Sequence, residues 1–336
     1  MEKLRLGSTD MEVVPLGLGG IPLQRIEQDE ATELIRACLE RGINFIDTAR
    51  GYTVSEGYIG RALKELNYPE VYIASKNMAR TAEAFEKEME ESFRQLGLEV
   101  IDLYQFHNLR SLDEFEELIG PGGAYDFAKK VQDQGRIRYL GLTTHRVDVL
   151  ERAIDSGLFA TVQFPLNYME RQGEELLKKA KEKGIGVIIM KPFAGGALKY
   201  KDLALTYLFH SGASHVIIPG IDSLDQLDMN FKQLARGPLL EEELQLIQEE
   251  ADELGEHFCR RCGYCLPCTV GIDIPTVFLM EGYYSRYNLQ DWAVERYSSF
   301  DKKASDCIAC GVCESRCPYE LPIISMLDKV KGVFGS

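Results

Sequence analysis

Short apolar runs alternate with longer amphipathic segments along the first two thirds of the chain. Eight runs rich in β-branched residues predict buried strands, at residues 13–20, 44–49, 71–76, 103–107, 139–143, 161–166, 186–192 and 215–220. Segments with helical periodicity lie between and after them, at residues 28–41, 56–66, 81–96, 124–134, 146–156, 173–183, 202–211 and 223–235. Strands that alternate with helices indicate βα units and a parallel sheet. Eight such units within about 230 residues predict an α/β protein with a (β/α)8 (TIM) barrel.

The glycine pattern argues against an open dinucleotide-binding sheet, which is the main alternative with the same alternation. The first predicted strand ends in Leu18-Gly19-Gly20-Ile21-Pro22, which lacks the G-x-G-x-x-G spacing of a phosphate-binding turn. We therefore expect the closed barrel.

The end of the barrel region is marked by one more predicted helix, at residues 239–258, whose apolar residues recur at steps of four and three. The same segment carries eight carboxylates and no lysine or arginine, so its other face is strongly acidic. The helix leads directly into a cysteine-rich region. We therefore predict a barrel over residues 1–238 and, over residues 239–336, a connecting helix plus a second, smaller domain.

The chain of 336 residues is acidic, with 38 Lys and Arg against 53 Asp and Glu and a net charge of −15. Such a charge repels phosphate backbones and anionic bilayers, so we expect neither nucleic acid nor a membrane as a partner. No apolar run approaches the ~18 residues that a membrane helix needs, and the first residues do not form a signal peptide. These features predict a cytoplasmic protein.

Eight of the nine cysteines lie within 59 consecutive residues, and Cys38 is the exception. Residues 307–317 have the spacing C-x2-C-x2-C-x3-C followed by proline, which is typical of bacterial ferredoxins. Residues 259–268 form a variant of this run, because the last gap is two residues and Thr269 replaces the proline. The 38 residues between the runs are rich in aromatics and have a helical pattern. The second domain is therefore predicted to resemble a mainly α-helical ferredoxin.

The ferredoxin pattern also predicts which cysteines bind which cluster, because three thiolates of a run bind one 4Fe-4S cluster and the fourth binds the other. Crossing the fourth ligands in this way assigns one cluster to Cys259, Cys262, Cys265 and Cys317. The second cluster is assigned to Cys307, Cys310, Cys313 and Cys268. Disulfides and two zinc sites are the alternatives. A reducing cytosol disfavours the disulfides, and the four-member run that ends in Cys-Pro favours iron over zinc.

Three polar side chains end neighbouring predicted strands of the barrel, and a tyrosine follows the first of them: Asp47, Lys76, His107 and Tyr52. The carboxyl ends of barrel strands meet at one face, where the active sites of this fold lie. A carboxylate would hold the lysine ammonium, whose charge would lower the pKa of the tyrosine below ~10. A neutral imidazole would orient a carbonyl oxygen. The set therefore predicts carbonyl reduction with proton transfer from Tyr52.

The segments that carry these residues resemble the aldo-keto reductases. The resemblance rests on Asp47-Thr48-Ala49-Arg50-Gly51-Tyr52 with the following Ser55-Glu56, on Ala74-Ser75-Lys76, and on Asp102-Leu103-Tyr104-Gln105-Phe106-His107. It extends over residues 1 to about 235. It implies that Tyr52 is the proton donor, that Lys76 and Asp47 tune it, and that His107 orients a small carbonyl or alcohol substrate.

The same resemblance implies a nicotinamide nucleotide site. The residues that correspond to the family's contacts with the carboxamide, the nicotinamide ring, the pyrophosphate and the adenosine half are, in chain order, Thr143, Thr144, Gln163, Met190, Lys191, Gly220, Ser223, Gln226 and Asn230. Members that prefer NADP(H) have Lys and Arg around the 2′-phosphate, whereas this chain has Gly220, Asp222 and Gln226 there. An acid without a cation favours NAD(H), and NADP(H) stays the alternative.

A reductase barrel followed by a two-cluster domain resembles the iron–sulfur branch of the aldo-keto reductases. Hydride transfer moves two electrons together, whereas each cluster moves one, so three functions stay open. The first is an NAD(P)H-dependent oxidoreductase whose clusters build or regulate the site. The second couples the barrel to an external electron carrier through the clusters, and the third is a non-catalytic redox-sensing subunit. The intact set of four catalytic-type residues argues against the third.

Overall fold

The computed structural model describes residues 2–67, 70–254, 258–261, 263–286 and 290–335. The chain forms two compact units. The first comprises Met1–Phe193 and Tyr200–Ile247, and the second comprises Ala194–Lys199 and Gln248–Ser336. The boundary between residues 238 and 239 stays a prediction from the sequence.

The described residues of the first unit form ten strands. A hairpin of β1 (Leu4–Arg5) and β2 (Glu12–Val13) precedes the main sheet. The main sheet consists of β3 (Leu18–Gly19), β4 (Phe45–Asp47), β5 (Tyr72–Asn77), β6 (Ile101–Leu109), β7 (Ile137–Thr144), β8 (Thr161–Pro165), β9 (Gly186–Met190) and β10 (Val216–Ile217). These eight strands are parallel and adjacent in chain order. Parallel bridges Leu16–Ile217 and Gly19–Gly220 join the first of them to the last, so the predicted (β/α)8 barrel is confirmed.

Helices follow the strands as the periodicity predicted. They are α1 (Gln28–Glu40), α2 (Ser55–Glu65), α3 (Ala82–Leu96), α4 (Leu112–Ile119), α5 (Ala124–Asp133), α6 (Val147–Ser156), α7 (Glu174–Glu182), α8 (Lys201–His210), α9 (Leu224–Leu234) and α10 (Glu241–Leu254). Helix α4 was not predicted, and Ser111 caps its N-terminus because the Ser111 side chain accepts a hydrogen bond from the Glu114 backbone amide.

The predicted strand at residues 13–20 is not one strand. Its start pairs in the hairpin, and only Leu18–Gly19 enters the barrel.

The alternation of side chains along β4 shows how the barrel positions polar groups. Phe45 belongs to an apolar cluster inside the barrel with Leu103 and with Leu6 of the hairpin segment. Ile46 instead packs in the cluster between the sheet and the helices. Side chains alternate between the two faces of a strand, so Asp47 points inward, one layer above Phe45 and toward the carboxyl end.

The second unit is mainly helical, as predicted. Its helices are α11 (Ile274–Arg286), α12 (Gln290–Ser298), α13 (Val312–Ser315) and α14 (Ile323–Phe334). They enclose a separate core that includes Ile272, Val277, Tyr297, Leu327 and Val330. In the parts of the chain that the structure describes, no helix is long and apolar enough to cross a membrane.

Candidate active site and cluster cavities

A buried ion pair lies at the carboxyl end of β4 and β5. Lys76 Nζ donates hydrogen bonds to Asp47 Oδ1 at 2.5 Å and to the Thr48 carbonyl at 2.7 Å. Gln105 Nε2 donates to the other carboxylate oxygen of Asp47 at 3.2 Å. Burial lowers the pKa of the Lys76 ammonium group, but Asp47 and Tyr52 together outweigh burial, so the pKa is raised. Burial also raises the pKa of Asp47, and Lys76 opposes that rise.

Tyr52 lies beside this pair, in the turn between β4 and α2. Its ring centroid is 5.1 Å from Lys76 Nζ. Burial raises the pKa of Tyr52 and outweighs the opposing charge of Lys76. The expectation that the pKa lies below its ordinary value is therefore wrong, because it considered the charge of the lysine without the loss of water around the phenol. The raised pKa keeps Tyr52 protonated at neutral pH, as a proton donor requires.

His107, near the end of β6, faces the tyrosine. The two ring centroids are 6.0 Å apart, and the rings are nearly perpendicular at 86°. Burial, followed by the charges of Lys76, Arg80 and Lys191, holds the pKa of His107 well below its usual value. The imidazole is therefore neutral at pH 7, and its buried Nδ1 has no hydrogen-bond partner in the described part of the chain. The structure thus brings all four predicted residues together.

A further buried carboxylate supports the turn that carries Tyr52. Glu56, at the start of α2, is 1% exposed and accepts a hydrogen bond from Ser75 Oγ at 2.5 Å. It also forms an ion pair with Arg50. Ser75 precedes Lys76, so these contacts tie the helix start to the strand that holds the lysine. The sequence placed Ser55-Glu56 in a motif but assigned the carboxylate no role.

His145 is a residue of this face that the sequence reasoning missed. It directly follows β7, and only 5% of its surface is exposed. Burial, followed by the charges of Lys191 and His107, holds its pKa well below the usual value. Its position one residue after Thr144, at a strand end, was the available signal. A second neutral imidazole therefore belongs to the polar end of the barrel.

Two of the residues implied for the nicotinamide carboxamide already have partners within the barrel. Thr143 Oγ1 accepts a hydrogen bond from the Asn108 amide at 2.7 Å, and Thr144 Oγ1 donates to the Leu109 carbonyl at 2.7 Å. These bonds fix the register between β6 and β7. Gln163 is buried, and its Oε1 has no partner among the described residues. Met190 and Lys191 lie half-buried at the end of β9.

The residues implied for the adenosine half lie between β10 and the middle of α9. A Cβ at Gly220 would approach Pro22 Cγ to 2.7 Å, so this position requires glycine. Ser223 caps α9 by accepting a hydrogen bond from the Gln226 amide at 3.4 Å. Asn230 is completely buried, and within the described residues neither polar atom of its side chain has a partner.

The expectation that no cation lies near Asp222 is wrong. Arg25 Nη1 is 3.3 Å from Asp222 Oδ2, and Gln226 Nε2 donates to the other carboxylate oxygen at 2.6 Å. Arg25 lies in the 3-10 helix Ile21–Arg25 that follows β3. Only closure of the barrel brings this helix beside the segment after β10, so no local pattern could reveal the pair.

The cysteines of the second unit line two cavities. One cavity, named here the Cys310 cavity, is lined by Cys268, Cys307, Cys310 and Cys313. The other, the Cys265 cavity, is lined by Cys259, Cys265 and Cys317. Cys262, assigned to the same set from the sequence, lies outside the described residues. Each cavity therefore gathers cysteines from both runs.

The donor set and the shape of the cavities fit a polynuclear cluster. None of the seven described cysteines of the two runs forms a disulfide. Among the described residues, no three His, Cys, Asp or Glu side chains converge on one metal-ion position. The thiols instead line two cavities, and four thiolates around one cavity are the usual ligands of a 4Fe-4S cluster.

A closed parallel barrel with a Tyr–Lys–Asp–His set at its carboxyl end defines an oxidoreductase of the aldo-keto reductase class. Residues 15–203 match the aldo/keto reductase family, and residues 258–322 match the 4Fe-4S dicluster domain. The chain therefore belongs to the aldo/keto reductase family and carries a C-terminal 4Fe-4S dicluster domain.

Known proteins are similar to this chain mainly over the barrel. An L-galactose dehydrogenase of Arabidopsis thaliana is 30% identical over 219 residues, which are 59% of this chain and 67% of that protein. The aldo-keto reductase YhdN of Bacillus subtilis is 30% identical over 224 residues, 60% of this chain and 65% of that one. The solved structure of aldo-keto reductase AKR11C1 from Bacillus halodurans has a TM-score of 0.65 and 25% identity, and covers 74% of this chain and 96% of its own.

Proposed function

We propose that the barrel catalyses the NAD(P)H-dependent interconversion of a small carbonyl compound and its alcohol. The observation that carries this proposal is the Lys76–Asp47 ion pair, which is buried 5.1 Å from the ring of Tyr52 and opposite a neutral His107. A structural ion pair would not require a tyrosine and an unprotonated imidazole beside it. The arrangement supplies a protonated donor and an orienting group for one oxygen atom.

In the proposed mechanism, Tyr52 Oη donates its proton to the carbonyl oxygen of the substrate. Lys76 stabilises the phenolate that remains, and Asp47 keeps the lysine charged and in place. His107 directs a ring N–H toward the same oxygen. A nicotinamide held by the nucleotide site would supply a hydride to the carbonyl carbon, and this hydride and the proton from Tyr52 together would convert C=O to CH–OH. In the reverse direction, the phenolate accepts the proton of the alcohol.

The nucleotide site is proposed to comprise Thr143, Thr144, Gln163, Met190, Lys191, Gly220, Ser223, Gln226 and Asn230. The side chains of Gln163 and Asn230 support it, because a buried amide atom without a partner is costly unless a ligand completes its hydrogen bonds. Asp222 is held by Arg25 and Gln226, and it favours NAD(H), because a carboxylate accepts a hydrogen bond from a ribose hydroxyl but repels a phosphate.

The two cavities of the second unit are proposed to hold two 4Fe-4S clusters, which can store one electron each. Cys259, Cys262, Cys265 and Cys317 would bind one cluster, and Cys268, Cys307, Cys310 and Cys313 the other. Eight reactive thiolates require a reducing compartment, which favours the cytoplasm.

The second candidate function couples the barrel to an external one-electron carrier. Its support is the exposure of the Cys310 cavity: Cys310 is exposed, and Ile308, which lines the same cavity, is 61% exposed. An exposed cluster edge favours electron exchange with another protein, whereas a purely structural cluster does not need one.

Anaerobic purification followed by titration with NADH and NADPH tests both candidates. Carbonyl-dependent oxidation of the nucleotide with unchanged cluster spectra supports the first. Bleaching of the clusters by the nucleotide supports the second. Absence of turnover with a panel of aldehydes and ketones, and of their alcohols in reverse, would contradict the proposed chemistry of the barrel.

A further inference from the structure

The two cluster cavities differ in the charge on their walls. Arg260 lines the Cys265 cavity, and only 7% of its surface is exposed. The Cys310 cavity is lined by its four cysteines, by Thr269 and by the apolar residues Pro267, Val270, Ile274, Ile308, Val312, Ile324 and Leu327. Among the described residues, therefore, a charged side chain lines one cavity and not the other.

Aromatic rings on two sides hold Arg260 in place. Its guanidinium carbon is 4.0 Å from the ring centroid of Phe258 and 4.6 Å from that of Tyr319. Arg260 Nη1 also donates a hydrogen bond to the Phe258 carbonyl at 2.7 Å. Phe258 directly precedes Cys259, and Tyr319 lies two residues after Cys317. The cation thus connects the two segments that supply cysteines to this cavity.

A fixed buried charge acts unequally on the two oxidation states of a cluster. One-electron reduction adds a negative charge, which a nearby cation stabilises, and the low dielectric of the interior strengthens the effect. We propose that Arg260 raises the reduction potential of the cluster in the Cys265 cavity above that of the cluster in the Cys310 cavity. The Cys265 cluster is then reduced first. This inference rests on the proposed binding of two clusters.

The hydroxyl of Thr269 acts in the opposite sense, but more weakly. It lies 3.3 Å from Cys310 Sγ, and a hydrogen bond to this sulfur would raise the potential of the other cluster. Both residues are exposed, however, so water competes with the hydroxyl. The full charge on the buried side chain of Arg260 therefore outweighs the exposed hydroxyl of Thr269.

The test is a potentiometric titration of the full-length, anaerobically purified protein, followed by electron paramagnetic resonance. The wild type is expected to show two one-electron midpoints. In Arg260→Met, the reduced-to-oxidised ratio of the higher-potential cluster at a fixed potential should fall about tenfold. For a one-electron couple, this fall means that the midpoint potential is lower by about 59 mV. Arg260→Lys keeps the charge and should shift the same ratio less than about threefold.

Arg316→Met is the matched control. Arg316 Nη1 donates a hydrogen bond at 3.1 Å to the carbonyl of Pro267, which lines the Cys310 cavity, but Arg316 is exposed, so water and salt screen its charge. Loss of the Arg316 charge should change the reduced-to-oxidised ratio of either cluster less than about threefold. Unchanged midpoints in Arg260→Met, equal shifts of both clusters, or a full tenfold shift in Arg260→Lys would each overturn the inference. If Arg260→Met does not assemble its clusters, Arg260→Gln, which also removes the charge, decides by the same tenfold criterion.

Iron and sulfide analysis of the wild type separates this inference from the proposed function. A wild type without two 4Fe-4S clusters defeats the cluster proposal itself. A wild type with two clusters whose potentials do not depend on Arg260 defeats only the role of the arginine.

Discussion

Lys76 Nζ lies 2.5 Å from Asp47 Oδ1, and both side chains are buried at the end of neighbouring strands. Removing one partner would leave the other charge in a site without water, which is much costlier than losing an exposed pair. The same pair sits beside Tyr52, so its removal also changes the group that is proposed to transfer the proton. Stability and activity are therefore coupled at this position and have to be measured separately.

Lys76→Met is expected to lower the free energy of unfolding by about 3–5 kcal/mol, because Asp47 loses its buried partner. The double variant Lys76→Met/Asp47→Leu should recover much of this loss and none of the activity, since no charge remains to stabilise the phenolate. Chemical denaturation and steady-state kinetics on the same preparations check both statements. Equal stability of the single variant and the wild type would contradict the buried pair.

Tyr52→Phe is expected to lower kcat for carbonyl reduction by about 10²- to 10⁴-fold, the usual contribution of a positioned general acid. Nucleotide affinity should stay within about twofold of the wild type, because the ring is kept. Tyr58→Phe is the control, since Tyr58 packs against the apolar core between the sheet and the helices. If Tyr52→Phe retained full turnover, the proton donor would be a different group.

Stability is expected to fall as the pH drops from about 6.5 to about 4. Burial, followed by the charge of Lys181, lowers the pKa of His215 to about 4, and its Nδ1 accepts a hydrogen bond from the Val187 amide. The unfolded chain takes up this proton near pH 6.5, whereas the folded chain takes it up only near pH 4. Protonation between these two values therefore favours the unfolded chain. The contribution of His215 to the free energy of unfolding is complete above pH 6.5 and is lost as the pH falls to about 4. His107 and His145, whose pKa values are also lowered, act in the same direction.

His215→Asn should reduce the slope of stability against pH in this window, because an amide oxygen can accept the same hydrogen bond without titrating. The measurement is urea denaturation at several pH values on wild type and variant with equal cluster content. An identical slope for the two proteins would show that His215 does not contribute.

Asp222→Ser is expected to raise the affinity for NADPH relative to NADH by roughly 5- to 10-fold, because the carboxylate no longer repels the 2′-phosphate and Arg25 becomes available to it. The double variant Arg25→Met/Asp222→Ser should lose most of this gain. Fluorescence titration with both nucleotides measures the ratio. An unchanged ratio in Asp222→Ser would mean that the pair lies away from the ribose.

Cys268→Ser is expected to lower the iron content from about eight toward four atoms per chain, because it removes the proposed fourth ligand of one cluster. Cys38→Ser is the matched control, since Cys38 is buried in α1 among apolar side chains of the barrel. Iron analysis and the visible spectrum of both variants check the assignment. Equal iron loss in the two variants would point to general instability instead.

The barrel and its four central polar groups could be anticipated because they depend on local patterns. Apolar periodicity distinguishes the strands from the helices, and the ends of parallel strands share one face, so Asp47, Lys76 and His107 had to lie near one another. The exceptions are also local in origin. The segment at residues 13–20 was taken as one strand, but Pro15 within it has no amide hydrogen to pair, and the short helix α4 was overlooked.

The sequence was sufficient for the order of the elements, for the family motifs and for the two cysteine runs, because periodicity and spacing are properties of neighbouring residues. The sign of the pKa shift at Tyr52, the meeting of Arg25 with Asp222 and the position of Arg260 in one cavity wall were not accessible from it. These features depend on how much water surrounds each group and on which distant segments come into contact, and both follow only from the folded chain.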